Sequence, residues 1–313
     1  MTLKLQMNLK RISIFLFFFF IFLHADKVLA QFYGQYEVGT PLIRNYLPKE
    51  YKANSQNWKC VQDKRGVMYF ANGDGVLEYD GVRWNLIPIK NNYTVSSICM
   101  DSSGTIYAGS NSEFGYLKPS TNGELVYVSL IDKFPAKYQH FSFLWNMFAT
   151  NKGVYFYSNE LLFRWYKGKI KVWTIGRPSA CFYVNDDVFI WKGNAGLTWL
   201  KNDSIIPINE GELFANIPIH SVLSLSKGKL LLATRNNGFY LMNNPRVSQG
   251  HSNITIMNYP YELVKFVTEN KLLFSRILKN GKIVYATSRA GVIVTDRNGN
   301  FVQLLLHFEH FNY

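Results

Sequence analysis

Three cysteines and six histidines are the first residues that could do chemistry. Cys60, Cys99 and Cys181 lie far apart and form no CxxC pair or Cys/His cluster, so neither a zinc site nor a disulfide framework is expected. Cys60 and Cys99 sit in apolar, strand-like stretches and are expected to be small buried hydrophobes. His307, Glu309 and His310 are close in sequence but have no third ligand in register. His140, His220 and His251 stand singly and are expected in solvated connecting loops.

Carboxylate chemistry fares no better. Glycoside hydrolysis needs two carboxyl groups about 5–10 Å apart on facing surfaces. Asp186 and Asp187 are neighbours in a turn, and successive strand residues point to opposite faces. Asp74, Glu78 and Asp80 alternate, but on a corner and a solvated strand. No GxSxG, phosphate-binding loop or dinucleotide fingerprint occurs. The expectation is a chain with no catalytic residues, no metal and no cofactor.

What would position any binding residue is a repeat. DKRGVMY at Asp63–Tyr69 and DSSGTIY at Asp101–Tyr107 are two copies of one pattern. Weaker copies surround Gly153, Gly228 and Gly281, and a sixth has Asp187 in place of glycine. The anchors recur at a mean spacing of 43 residues, the length of a four-stranded propeller blade. Each copy is an apolar run, a polar turn and a second β-run. A short corner then leads to another glycine (Gly75, Gly115, Gly196, Gly238, Gly291) and a third run. In unit two the strands are expected near 95–100, 104–109, 114–118 and 124–129. In unit three they are expected near 143–149, 153–158, 161–166 and 169–174.

The fold class is therefore all-β, a propeller of four-stranded blades with six repeats visible. No amphipathic helix longer than two turns is expected to interrupt it. Trp145, Trp165, Trp173, Trp191 and Trp199 lie in strands and are expected to pack between blades.

In such a topology the corners between second and third strands share one face with the long connections between blades. Functional residues concentrate on loops held by a rigid scaffold. The candidate ligand face thus carries Asn72, Asp74, Asn111, Glu113, Lys192, Asn194, Arg235, Asn237, Ser288 and Arg289.

Composition sets the compartment. The chain has 313 residues, 48% apolar and 16% aromatic, so it is neither disordered nor a coiled coil. Residues 1–30 begin with Lys4, Lys10 and Arg11, continue through a run of twelve at 12–23 that is apolar but for Ser13, and end in Val28, Leu29 and Ala30. Twelve helical residues are too short for a bilayer core of about 30 Å, so the segment reads as a signal peptide. An uncleaved signal anchor is the alternative.

Removing those residues takes four cations and Asp26 from the formal charge of +13 and leaves +10. The cations are scattered, with no run of four, so no nucleic-acid partner is expected. Residues 31–56 form a lead-in holding a candidate ring-closing strand, and residues 57–313 the propeller. The chain is expected in the periplasm or cell envelope.

Several stretches carry a family resemblance. They are GTPLIRNY at Gly39–Tyr46, QNW at Gln56–Trp58, YFAN at Tyr69–Asn72, GVLEYDG at Gly75–Gly81 with Trp84, IYAG at Ile106–Gly109 and EFGYL at Glu113–Leu117. Over residues 39–130 the sequence resembles the opening blades of two-component-regulator propeller proteins, which also carry a three-Tyr (Y_Y_Y) domain. The resemblance implies an exported, non-catalytic sensor of an extracellular ligand, carbohydrate among the candidates, with a homodimer formed through the propeller.

It also implies seven blades, a membrane helix and an output domain. Against that pattern the chain reads as a truncated fragment, joined to a membrane only through a missing C-terminal part or the uncleaved signal. Asp63 and Asp101 also resemble the aspartate boxes of sialidase-like propellers, whose Asp shapes a turn. The alternative function is an exported propeller glycoside hydrolase or polysaccharide lyase.

Overall fold

The computed structural model describes residues 44–248 and 253–305. The signal sequence, most of the lead-in, His251 and the His307–His310 stretch lie outside the described residues. Of the compact unit Met1–Tyr46 only residues 44–46 are described, where Arg44 stacks over the Tyr46 ring at 4.5 Å. The unit Leu47–Tyr313 carries the fold.

That unit holds six antiparallel sheets of four strands, each in simple chain order. Blade 1 is β1 (Asn57–Gln62), β2 (Met68–Asn72), β3 (Gly75–Tyr79) and β4 (Trp84–Ile87). Blade 2 is β5 (Ser97–Met100), β6 (Ile106–Gly109), β7 (Phe114–Pro119) and β8 (Leu125–Ser129). Blade 3 is β9 (Leu144–Thr150), β10 (Gly153–Ser158), β11 (Leu161–Tyr166) and β12 (Lys169–Thr174). Blade 4 is β13 (Ser179–Val184), β14 (Asp187–Lys192), β15 (Gly196–Lys201) and β16 (Ser204–Pro207). Blade 5 is β17 (Ile219–Ser226), β18 (Lys229–Thr234), β19 (Phe239–Asn243) and β20 (Ile254–Ile256). Blade 6 is β21 (Leu272–Ile277), β22 (Ile283–Thr287), β23 (Val292–Thr295) and β24 (Phe301–Leu305). The blades form a propeller with each first strand innermost.

The repeat follows from turn chemistry. Asp101 Oδ1 accepts hydrogen bonds from Ser103 N (2.9 Å) and Thr105 N (3.0 Å), while Gly104 supplies φ 91°. Asp63 does the same for Arg65 N and Val67 N, a structural role for both aspartates. The sixth copy needs no glycine because Asn185 and Asp186 themselves adopt φ 51° and 64°, the pair of left-handed residues a tight hairpin requires.

The core lies between blades rather than at a centre. Between blades 2 and 3, Phe114 is fully buried with ring centroids 4.9 Å from both Phe156 and Phe163 and 5.5 Å from Phe134. Trp191 and Trp199 join the core between blades 4 and 5, and Trp173 that between blades 3 and 4. The aromatic excess is thus largely inter-blade packing.

Four expectations are corrected. Trp145 is 48% exposed, not core. Cys60 is exposed, because it falls on a free side of the innermost strand, while Cys99 and Cys181 are buried. His220 lies half-buried in β17 rather than in a solvated loop. The connection from blade 5 to blade 6 forms a nine-residue helix, α1 (Tyr261–Glu269), which buries Leu263 and Val267 one turn apart. No helix among the described residues is long and apolar enough to cross a membrane.

Candidate functional site

The corners between second and third strands pack against the segments that enter the first strands. Gly73 N donates to Gln56 O, Ser112 N to Phe141 O, Arg235 N to Pro218 O and Ser288 N to Asn270 O. These bonds place the corners and the starts of β1, β9, β17 and β21 on one face.

A β-bulge recurs there. In blade 1 Asn57 pairs with Asn72 and Lys59 with Ala71, leaving Trp58 unpaired. The same slip leaves Trp145 unpaired in blade 3, His220 in blade 5 and Leu273 in blade 6. A bulge re-aims the extra side chain and is common beside functional sites. Trp58 (45% exposed) and Trp145 meet edge to face with centroids 6.4 Å apart. Blade 2 separates their blades, so this contact passes over the inner edge of blade 2, near the starts of the innermost strands. Phe143 lies 6.0 Å from Trp145, and Leu273 and Phe274 are about half exposed. His220 Nδ1 lies 3.2 Å from Leu273 O.

One residue further along β1, Lys59 Nζ reaches past blade 2 to donate to Asn146 Oδ1 (2.9 Å) and Met147 O (3.0 Å) on β9. Burial, with Arg276 on β21 adding to it, holds the Lys59 pKa below the ordinary lysine value. Burial likewise lowers the His220 pKa, and nearby Arg235 lowers it further.

The predicted face residues divide into two sets. Asn72 is fully buried: its Nδ2 donates to Asn54 O (2.7 Å) and Asn57 Oδ1 (2.9 Å), and its Oδ1 accepts from Asp74 N. Glu113 is buried and accepts from Tyr127 OH (2.9 Å) and Ser129 Oγ (2.7 Å). Asp74, Asn111, Asn194, Arg235, Asn237, Ser288 and Arg289 are exposed on corners, and Lys192 is half-buried. The structure brings Arg235 close to the channel mouth through His220. It does not gather the rest into one pocket.

Sequence reasoning missed the bulged residues. At two of the four sites the signal is an apolar–large–polar triplet, Leu144-Trp145-Asn146 and Ile219-His220-Ser221, that breaks the strict alternation of a strand.

Two clefts open on the opposite face. One of about 250 Å³ between blades 3 and 4 is lined by Lys152, Tyr155, Asp187 and Arg246. There Asp187 Oδ1 accepts from Trp199 Nε1 (3.1 Å) and Arg246 Nε (2.9 Å). The other, of about 450 Å³ between blades 1 and 2, is lined by Asp63, Arg65, Tyr69 and Glu78. Among the described residues no group of three or more His, Cys, Asp or Glu is placed to hold a metal.

No family model matches the chain, and no curated protein is similar to it in sequence. Solved structures match in fold. The WD40 β-propeller domain of Doa1 aligns over 82% of this chain and 84% of that one, with TM-score 0.59 and 14% identity. The extracellular domain assigned to a one-component system, BT4673 of B. thetaiotaomicron, aligns over 83% of this chain with TM-score 0.55 and 15% identity. This chain matches 34% of that domain's length. Virginiamycin B lyase of Staphylococcus aureus, in a catalytically inactive form with quinupristin, aligns over 75% of this chain and 78% of that one, with TM-score 0.53 and 11% identity. The chain is a β-propeller. At these identities the shared property is the fold.

Proposed function

We propose that this propeller is the ligand-binding module of an exported signal-transduction protein of two-component type. It takes its ligand at the mouth of the central channel and does no chemistry on it. The observation that carries this reading is the bulge repeated at the starts of four innermost strands, which leaves Trp58, Trp145, His220 and Leu273 unpaired, with the Trp58 and Trp145 rings exposed and in contact. Exposed aromatics held on a rigid scaffold are suited to stack on the apolar face of a sugar ring, and the family resemblance also favours a saccharide. The fold shared with an extracellular domain supports an exported location. Signalling then requires that the ligand bind two arrangements of the propeller with different affinity.

None of the six innermost strands contains Asp or Glu, so the channel does not offer the carboxylate pair that the hydrolase alternative needs. Calorimetric titration of the purified chain with a panel of oligosaccharides tests the proposal. Binding that is lost in Trp58→Ala and Trp145→Ala is expected. Binding unaffected by both substitutions would overturn the site. New reducing ends or unsaturated products would overturn the non-catalytic reading.

A further inference from the structure

The charge of the channel points to the charge of its ligand, on the reading that the mouth is the binding site. Besides tyrosine and cysteine, the ionisable residues of the six innermost strands are Lys59, His220 and Arg276. The Lys59 ammonium rests on two neutral oxygens, those of Asn146 and Met147. Cys99 and Cys60 also act on Lys59, but as thiols; its cationic neighbour is Arg276, and that of His220 is Arg235. The ion pairs found among the described residues lie elsewhere, at Asp63, Asp203, Glu160 and Asp187.

Like charges facing a narrow passage with protein walls repel each other more strongly than they would in open water. An entering anion relieves that repulsion, and its oxygens can accept the remaining N–H of Lys59 and the fork of Arg276. Trp58 and Lys59 are successive residues of β1, and Trp145 is followed in β9 by Asn146, the acceptor of Lys59, so ring and cation lie side by side near the starts of these strands. That matches a ligand with an apolar face and an anionic substituent.

We infer that the mouth selects an acidic saccharide, one whose sugar ring stacks on Trp58 or Trp145 while a carboxylate or sulfate reaches Lys59 and Arg276. A neutral sugar of the same shape would leave those cations facing each other. The exposed guanidinium of Arg235 extends the positive field to the rim.

The test is calorimetry on the full chain with four probes: trigalacturonate, its methyl ester, a sulfated trisaccharide and the same sugar without sulfate. At least one acidic probe should bind about tenfold more tightly than its neutral partner, with the gap narrowing as salt rises. Which acidic probe shows the gap distinguishes carboxylate from sulfate. Arg276→Gln should erase the gap by weakening the acidic member of the pair, and Trp145→Ala should weaken both members. Equal affinity within both pairs would overturn the inference while leaving the mouth as a binding site. Failure of all four probes to bind would overturn the mouth reading along with it. A gap that survives Arg276→Gln would place the anion elsewhere and also overturn the assignment.

Discussion

Lys59 Nζ donates to Asn146 Oδ1 at 2.9 Å, joining the innermost strands of two blades that have a third between them. It belongs to a belt of polar bonds around the channel. Ser96 Oγ donates to Leu144 O (3.0 Å), Asn146 Nδ2 to Cys181 O (3.2 Å) and Ser275 N to Ser221 Oγ (2.8 Å). Apolar packing holds the blades further out, and this belt holds them at the axis.

Asn146→Ala removes both the acceptor for Lys59 and the donor to Cys181 O. The expected cost is about 2–3 kcal/mol, read as a lower urea midpoint with unchanged slope. An unchanged midpoint would show that the belt contributes little.

Phe114 and Trp145 should separate folding from binding. Phe114→Ala empties a fully buried site among Phe134, Phe156 and Phe163 and should cost about 3–5 kcal/mol in chemical denaturation. Trp145→Ala, half exposed at the mouth, should cost about 1 kcal/mol or less.

Gly196 opens β15 at φ 76°, and a Cβ there would lie 2.0 Å from Gly211 O. Gly196→Ala combines backbone strain with a clash against main chain, and a loss of about 2–4 kcal/mol is expected. A thermal midpoint equal to the parent would contradict this close approach.

Acid should weaken the seam between blades 3 and 4. Asp203 accepts two bonds from Arg164 (2.7 and 3.1 Å) and one from Lys171 (3.1 Å). Burial pushes its pKa up, but these partners outweigh it and hold the carboxyl below the usual carboxylate range. The unfolded chain therefore takes up the proton first. The stabilisation is complete above the unfolded pKa and is lost as pH falls through the folded one. Asp203→Asn should cost about 1 kcal/mol at neutral pH, discounted for partial exposure, and should flatten the decline in stability below about pH 4. Unfolding curves across that range check it.

The six blades were legible because turns and alternation are local. Asp63 and Asp101 shape hairpins through their own backbone neighbours, so unit two's strands fall within about two residues of their expected places. The mouth was not legible. Whether Trp145 faces a neighbouring blade or the channel depends on a one-residue slip against β10, a property of two strands together. Asn72 and Glu113 flank corners of the expected ligand face, but their side chains turn inward to complete hydrogen bonds within the blade.

A bulged residue has no partner across the ladder, so strand pairing is indifferent to its identity. Trp58, Trp145, His220 and Leu273 can therefore change while the blades keep their registers. On the proposed reading, chains sharing this scaffold can diverge in what they recognise through four substitutions, with the work of folding left to the residues of the paired ladders.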